Sequence, residues 1–260
     1  MNSRSFIFCT LIAASAAALP GTGMAGCDVR SGPKTAALVE LYTSEGCSSC
    51  PPADQQLRRL RQELDSAAAA VPLALHVGYW DYIGWKDPYA QTAFAERQGW
   101  LVRVNQHRTV YTPQFFVNGS ELRSGRDALR DKVRQQNALP AVAVIHVRAS
   151  IAPNGALALN AEATSRAGAE PAALYLALAE SGLVSNVTRG ENNGETLTHD
   201  HVVREWIGPV GLTNGAAQVQ RSIPLPAAWS RARLDVIAFV QRERTGSVLQ
   251  AVSAQKCAAS

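Results

Sequence analysis

The residues from Val39 to Asp54 read VELYTSEGCSSCPPAD, and this stretch decides the predicted fold. It contains most of an apolar run over residues 37–43, which predicts a buried β-strand. Cys47 and Cys50 follow that strand, and a leucine stripe typical of an amphipathic helix comes next. A strand, a Cys-x-x-Cys turn and a helix are therefore expected in direct succession.

The alternation of strand and helix patterns continues to residue 139. A second apolar run over residues 71–77 predicts a strand, and residues 89–105 predict a helix. Asn118-Gly119 predicts a hairpin between two short strands, because both turn positions require positive φ. With a final helix and right-handed crossovers, the order β-α-β-α-β-β-α predicts a thioredoxin-like α/β domain over residues 35–139.

Residues 140–254 carry a different pattern. About seven short runs with strand character follow one another, and turn signals such as Asn154-Gly155 and Thr245-Gly246 separate them. The segment contains no helix pattern. We therefore expect an all-β antiparallel sandwich-like domain over residues 140–254.

The first residues have the build of a secretory signal peptide. Arg4 precedes an apolar run over residues 6–19, and small residues before Ala25 suit cleavage, so we assign the signal peptide to residues 1–25. A periplasmic or secreted protein is expected. The run is too short to span a bilayer, so we expect no membrane span. The net charge of +4 is scattered without an aromatic-interleaved basic stripe, which argues against a nucleic-acid partner.

Five cysteines are present, and four remain once Cys9 leaves with the signal peptide. Cys27 and Cys257 stand at the two ends of the mature chain. Because chain ends often lie close together in compact proteins, we expect a structural disulfide between them. The alternative makes Cys27 the lipid-anchored cysteine of a lipoprotein, which would leave Cys257 without a partner.

The pair Cys47 and Cys50 has the spacing of a reactive dithiol. A helix start favours a thiolate, which attacks a disulfide, and the second thiol then resolves the mixed disulfide. We expect an exchange-active pair. An inert structural disulfide and a metal site are the alternatives, although a closed zinc site needs two further ligands that the domain does not offer in sequence.

Thr112-Pro113 precedes the predicted strand over residues 114–117. A proline is tolerated at the start of a strand, where its missing N–H costs little. Combined with the Cys-x-x-Cys turn, the dipeptide favours a cis proline facing the cysteines.

CSSC after a strand, with TPQFFVNG later in the chain, resembles the thioredoxin and glutaredoxin superfamily. That resemblance implies that Cys47 is the nucleophile and Cys50 the resolving thiol. It also implies that the loop of Thr112 and Pro113 holds the substrate peptide. Glu40 resembles the buried carboxylate that thioredoxins carry in their first strand, and an edge or surface position is the alternative.

Three longer motifs resemble a family of secreted bacterial proteins, domain of unknown function 1223. They are VELYTSEGCSSCPPAD, HVGYWDYIGWKDPYA and VYTPQFFVNG. The resemblance covers nearly the whole mature chain. Because the family has no assigned reaction, it implies fold and export more than activity.

Several other side chains are candidates to support the site. Tyr79 and Trp80 suit a peptide-binding wall beside the cysteines, or a cap over the core. His76 ends the second predicted strand, so it stabilises a thiolate or is simply packed there. His199 and His201 alternate on one predicted strand and would face the same side, as in a metal site, but a packing role is favoured because no third ligand is evident.

The resulting functional hypothesis is a periplasmic thiol-disulfide oxidoreductase that acts on protein cysteines through a mixed disulfide at the Cys-x-x-Cys pair. Its expected partners are protein thiols or disulfides and an unidentified redox partner, with no cofactor and no metal. One alternative is a non-enzymatic secreted binding module with a structural Cys-x-x-Cys disulfide. A second is a copper-handling protein that uses Cys47, Cys50 and His76.

Overall fold

The computed structural model describes residues 26–65, 69–123, 126–166, 168, 170–255 and 257. The predicted signal peptide over residues 1–25 lies outside the described residues. Within the described ranges, no helix combines the length and the apolar character needed to cross a membrane.

Three α-helices and fourteen strands are found among these residues. The helices are α1 (Pro51–Glu63), α2 (Thr92–Val104) and α3 (Arg126–Asn137), with short 3₁₀ helices at Gly78–Ile83 and Arg231–Arg233. The strands are β1 (Gly26–Arg30), β2 (Ala37–Thr43), β3 (Ala70–His76), β4 (Gln114–Val117), β5 (Ser120–Leu122), β6 (Ala143–Ile151), β7 (Leu157–Ser165), β8 (Ala172–Glu180), β9 (Leu183–Asn186), β10 (Thr196–His199), β11 (Val202–Gly211), β12 (Ala216–Ile223), β13 (Leu234–Arg242) and β14 (Val248–Ala254).

Eight of these strands form one mixed sheet in the order β14-β13-β8-β11-β3-β2-β4-β5. The pairs β2–β3 and β11–β3 are parallel, and the other neighbours in the sheet are antiparallel. Strands β11 and β3 join the two halves of this sheet, with Val202 of β11 paired to Ala74 of β3. Strands from the two stretches of sequence that we expected to fold separately therefore share a single sheet.

The predicted fold class, a thioredoxin-like α/β domain followed by an antiparallel sandwich, is consequently wrong. The element order β-α-β-α-β-β-α does occur between β2 and α3, but the described chain is mostly β and its large sheet does not end at β3. An open edge at β3 would leave unpaired backbone N–H and C=O groups, and β11 covers that edge. The proposed boundaries, residues 35–139 and 140–254, stay a prediction.

A second, antiparallel sheet in the order β1-β6-β7-β12 packs on the half of the large sheet formed by β8 and β13. Every second residue of β6 is buried over most of its length, which is the pattern of a strand with one face in the core. All nine residues of β8 are buried, because both faces of that strand are covered. Ile145, Val147 and Leu159 of the small sheet meet Leu176 and Val236 of the large one.

Helices cover the other half of the large sheet on both faces. Leu57 of α1 and Leu129 of α3 are packed with Leu41 on one face. Leu101 of α2 belongs to the core on the opposite face, with Phe239 of β13. Strand β2 is thus fully buried, and its C-terminal end leads directly into the Cys-x-x-Cys turn.

Strands β9 and β10 form a separate two-stranded hairpin beside α1. The predicted strand over residues 198–206 is interrupted, because His201 takes a positive φ of 59° between β10 and β11. The expectation that His199 and His201 face one side of the same strand is therefore wrong. Arg58 of α1 fixes the end of the hairpin through an ion pair of 2.9 Å with Asp200.

The expected disulfide between Cys27 and Cys257 is confirmed. Their Cα atoms lie 5.0 Å apart, and the bond joins positions separated by 230 residues. Strand β1, which carries Cys27, is the edge strand of the small sheet and pairs with β6. The bond therefore fastens the C-terminal end of the described chain to that edge.

Candidate functional site

Cys47 and Cys50 form a disulfide in the turn between β2 and α1, with their Cα atoms 5.4 Å apart. Helix α1 begins at Pro51, directly after Cys50, which takes the N-cap position. Pro51 and Pro52 have no N–H group, and the next two N–H groups donate to the carbonyl of Cys50. The start of the helix therefore offers little backbone hydrogen bonding to a Cys47 thiolate.

A side-chain hydroxyl supplies a contact to the sulfur. Ser49 Oγ lies 3.3 Å from Cys47 Sγ. A hydroxyl at this distance can donate to a thiolate once the disulfide is reduced. Both cysteines are covered in the disulfide form, since Cys47 is 1% exposed and Cys50 is fully buried.

Glu45, two residues before Cys47, is a buried carboxylate with three different partners. Its Oε2 accepts a hydrogen bond of 2.8 Å from Trp85 Nε1. Its Oε1 lies 3.0 Å from His199 Nε2 at the end of β10. Its backbone N–H donates to Asp87 Oδ2 at 2.9 Å. These contacts tie the Cys-x-x-Cys turn to two separate parts of the chain, the segment of Trp85 and Asp87 and the end of β10.

His76 and Asp87 form a second buried pair in the same cluster. His76 Nδ1 lies 2.7 Å from Asp87 Oδ2, and both side chains are fully buried. Burial alone would lower the pKa of His76, but the carboxylate of Asp87 outweighs it and raises this pKa above its usual value. Burial likewise works to raise the pKa of Asp87, yet His76 and backbone N–H donors bring it below its usual range. Each group of the pair therefore favours the charged form of the other.

Asp54 brings a third carboxylate from the first turn of α1. Its Oδ2 accepts a hydrogen bond of 3.2 Å from Thr43 Oγ1, and its backbone N–H donates to the Cys50 carbonyl. Burial raises the pKa of Asp54, and the neighbouring histidines His76 and His199 only partly oppose that effect. The carboxyl group one turn after Cys50 thus holds its proton more tightly than an exposed aspartate does.

Three polar atoms of this cluster have no hydrogen-bond partner among the described residues. They are Asp54 Oδ1, His76 Nε2 and His199 Nδ1. The two imidazole rings lie edge to face with their centroids 5.0 Å apart. A buried unsatisfied polar group costs about 1–3 kcal/mol, so the cluster is held together at a real cost in stability. We call Glu45, Asp54, His76, Asp87 and His199 the acid–histidine cluster.

No group of three or more His, Cys, Asp and Glu side chains within the described part of the chain is arranged to hold a metal ion. Copper binding by Cys47, Cys50 and His76 gains no support from this finding and stays a prediction. His201 is not part of the acid–histidine cluster, and burial lowers its pKa to about 4.

Of the predicted substrate-binding residues, Trp80 is the one that the structure places against the Cys-x-x-Cys turn. The Thr112–Pro113 peptide is cis, as the sequence predicts. Trp80 Nε1 donates a hydrogen bond of 2.7 Å to Thr112 Oγ1. A Cβ added to Gly46 would lie 3.0 Å from Trp80 Cβ, so this tryptophan backs directly onto the turn. Tyr79 instead points to α2, where its hydroxyl lies 3.3 Å from an oxygen of Gln98.

Glu40 occupies a different environment from the cysteines. Its carboxylate is fully buried and accepts hydrogen bonds of 2.6 and 3.1 Å from Arg97 of α2. The Arg97 guanidinium also lies over four aromatic rings, at 4.9 Å from the nearest centroid, that of Trp206. This carboxylate is neutralised by an ion pair with Arg97 and is not part of the acid–histidine cluster.

Sequence reasoning singled out Cys47, Cys50 and His76 but missed the rest of the acid–histidine cluster. Asp54 and Asp87 lie within the quoted motifs CSSCPPAD and HVGYWDYIGWKDPYA, so the motifs themselves were the available signal. His199 was considered for a metal site together with His201, and no sequence pattern links it to the Cys-x-x-Cys turn.

The family model described as "Protein of unknown function (DUF1223)" matches residues 38–241. The curated proteins contain no match to the chain.

Two solved structures share the fold. The crystal structure of protein AGR_C_4864 from Agrobacterium tumefaciens is 23% identical, with a TM-score of 0.65, and the match covers 86% of this chain and 95% of that one. HBP35 of Porphyromonas gingivalis is 16% identical, with a TM-score of 0.66, and the match covers 86% of this chain and 76% of that one. At these identities the likeness concerns the fold alone.

Proposed function

Because the chain belongs to the DUF1223 family, whose function is unknown, we propose its activity from the site itself: thiol–disulfide exchange with protein cysteines at Cys47 and Cys50. The observation that carries the proposal is the acid–histidine cluster around the Cys-x-x-Cys turn, with three buried polar atoms left unpaired. We place the reaction in the periplasm or outside the cell, in keeping with the predicted signal peptide and with the disulfides.

Energetics favour a reactive pair over an inert one. A structural disulfide needs no ionisable neighbours, and apolar side chains would fill the same space without unsatisfied atoms. Buried groups with shifted pKa values beside a reactive bond are typical of functional sites. Asp54, His76 and Asp87 are such groups, and all three belong to the cluster that surrounds the turn.

The proposed exchange oxidises a substrate dithiol and reduces the Cys47–Cys50 disulfide. A substrate thiolate attacks Cys47 Sγ, a new sulfur–sulfur bond forms, and the Cys47–Cys50 bond breaks with its electron pair passing to Cys50. The second substrate thiol, as thiolate, then attacks the substrate sulfur of this mixed disulfide and releases Cys47. The protein gains two electrons and two protons, and the substrate dithiol loses them as it becomes a disulfide.

Each step changes protonation at a sulfur. Ser49 Oγ, at 3.3 Å, is placed to stabilise the Cys47 thiolate. Asp54, one helical turn after Cys50 and with a raised pKa, is a source of protons close to the departing sulfur. In this proposal Thr112 and Pro113, with Trp80 and the more distant Tyr79, contact the substrate segment.

Trapping of the mixed disulfide tests the function. The same mixed disulfide forms in the reverse direction, when the Cys47 thiolate attacks a protein disulfide. Cys50→Ser removes the resolving thiol, so a protein attached to Cys47 in this way stays attached. We expect a covalent adduct between Cys50→Ser protein and a model substrate such as disulfide-bonded insulin, visible on a non-reducing gel and assigned to Cys47 by mass spectrometry.

Cys47→Ser is the matched control and should give no adduct, because the proposal makes Cys47 the sulfur that reacts with the substrate. Adducts of equal yield from both variants would mean non-selective thiol chemistry. If a separate sample of Cys50→Ser protein is readily alkylated at Cys47, so that this thiol is accessible, and still no adduct forms, the proposal is contradicted.

A binding module with a structural disulfide is the second candidate, and the burial of Cys47 favours it, since only 1% of this residue is exposed. The binding surface would then be the aromatic 3₁₀ segment, where Tyr82 is 82% exposed and stacks on Trp80. Partner binding that survives Cys47→Ser but is lost in Tyr82→Ser would favour this candidate over exchange.

A further inference from the structure

The loop between β9 and β10, residues 187–195, covers the Cys-x-x-Cys turn. We call it the cap loop. Its base is closed by backbone hydrogen bonds, from Gly194 N–H to the Val187 carbonyl at 2.8 Å and from Val187 N–H to the Glu195 carbonyl at 2.9 Å. The loop therefore has a defined shape, and its tip at residues 190–192 reaches the cysteines.

At the tip, a carboxylate binds the turn. Glu191 Oε2 accepts hydrogen bonds from Ser48 N–H at 3.0 Å and from Ser48 Oγ–H at 2.7 Å. These two donors lower the pKa of Glu191, and the contact lies at the surface. Ser48, the residue after Cys47, thus provides a two-donor receptor for a carboxylate, and the chain's own Glu191 fills it.

The neighbours of Glu191 complete the contact. Asn192 Nδ2 donates to the carbonyls of Glu45 at 2.8 Å and Cys47 at 3.1 Å. Gly190 has a φ of 74°, and a Cβ there would lie 3.3–3.4 Å from side-chain atoms of the 3₁₀ segment and of Trp85. A small residue, an acid and an amide therefore fill the space between the turn and the aromatic segment.

Burial differs sharply between neighbouring residues of the turn. Ser48 and Ser49 are exposed, yet Cys47 beside them is almost fully buried. A substrate sulfur must approach Cys47 Sγ along the axis of the disulfide, so part of the surrounding structure must move before exchange occurs. The cap loop is bonded to Ser48 and to the Cys47 carbonyl, next to that sulfur.

We propose that Gly190–Asn192 is a built-in pseudosubstrate, and that the substrates of this site are protein segments with a carboxylate beside the reacting cysteine. The incoming carboxylate replaces Glu191 on the N–H and Oγ–H of Ser48 and displaces the tip of the cap loop. The inference rests on the proposed exchange function, because it names the substrate class of the same site.

Access to the disulfide is the first measurement. Glu191→Ala and Asn192→Ala each remove one attachment of the tip, so dithiothreitol should reduce the Cys47–Cys50 bond several-fold faster than in the wild type. Glu195→Gln is the matched control, since it removes the same charge from an exposed side chain of the same loop. Alkylation of timed samples followed by mass spectrometry gives the rates.

Equal rates in the wild type, Glu191→Ala and Asn192→Ala would overturn the inference. So would an acceleration in Glu195→Gln as large as that in Glu191→Ala, because it would reflect charge alone. Two different attachments are tested, so a folding defect in one variant leaves the other informative.

Preference for acidic peptides is the second measurement. The probes are the disulfide dimers of two blocked peptides, Ac-Gly-Glu-Cys-Ala-amide and Ac-Gly-Gln-Cys-Ala-amide, and the mixed disulfide at Cys47 is counted in the Cys50→Ser background. With Glu191→Ala added, the receptor is free, and we expect the acidic peptide to react up to about tenfold faster than the neutral one. Adding Ser48→Ala should reduce that ratio toward one.

The outcomes separate the two proposals. Mixed disulfides that form equally fast with both peptides in every variant would overturn the pseudosubstrate and leave the exchange function in place. Faster reduction by dithiothreitol without any peptide adduct at Cys47 would overturn the exchange function, and the substrate class with it.

Discussion

The buried ion pair between Arg97 and Glu40 gives the sharpest prediction about the fold. Arg97 is 8% exposed and Glu40 is fully buried, and two hydrogen bonds of 2.6 and 3.1 Å join them. Arg97→Met leaves the carboxylate without its cation, which costs about 3–5 kcal/mol for a buried pair. The same substitution also removes the cation from above four aromatic rings, which further lowers the free energy of unfolding. We expect a total loss of about 5 kcal/mol in the free energy of unfolding.

Urea unfolding of the oxidised protein, followed by circular dichroism, measures this loss. The double variant Glu40→Gln with Arg97→Met removes the uncompensated charge, so it should be at least about 2 kcal/mol more stable than the sum of the single losses implies. A loss below about 1 kcal/mol in Arg97→Met, or strictly additive losses, would refute the account of this pair. Glu40→Gln should leave the alkylation rate of reduced Cys47 unchanged, because Glu40 contacts α2 rather than the cysteines.

Three further predictions concern single features. Replacing Cys27 and Cys257 by serine should cost about 5 kcal/mol on the chain-entropy model, given their separation of 230 residues, as measured by urea unfolding without reductant. Burial lowers the pKa of His201 to about 4, so the unfolded state binds this proton first and the free energy of unfolding falls as the pH drops from about 6.5 to 4. His201→Asn, a residue that suits the positive φ, should remove up to about 3 kcal/mol of that fall. Unfolding curves at several pH values measure the difference. Ser49→Ala should slow iodoacetamide alkylation of reduced Cys47 at pH 7 by up to about tenfold, since a hydrogen bond to the thiolate is lost.

Elements set by local patterns were predictable from the sequence. The apolar run before the cysteines became β2, and Asn118-Gly119 became the turn between β4 and β5, with positive φ at both residues. Leu174, Leu176 and Leu178 alternate on one face of β8. In each case side-chain periodicity or turn chemistry within a few residues determines the element.

The joining of the two halves into one sheet was not predictable in this way. Val202 and Ala74 are far apart in the chain, and neither local sequence specifies the other as its partner. The short strand β9 has little apolar pattern of its own, with one buried residue, Ser185, so the hairpin that carries the cap loop was missed. Long-range pairing is decided by which edges remain open once the local elements form.

Some residues of the candidate site were identifiable from local sequence, and others only from the fold. The cysteines and Pro113 were found because their spacing is informative by itself. His199 was considered only for a metal site with His201, and Glu45 was not singled out. A single histidine or glutamate is informative only when the fold brings it to the turn, as the contact of 3.0 Å between them does here.

The reduction potential of the Cys47–Cys50 pair tests the central claim most directly. Titration of the whole protein with glutathione redox buffers, followed by alkylation and mass spectrometry, gives this potential and also reports the state of Cys27 and Cys257. The proposed exchange function predicts a value within roughly −120 to −270 mV, the range of exchange-active dithiols. A value below about −300 mV would mark a structural disulfide and would contradict the account.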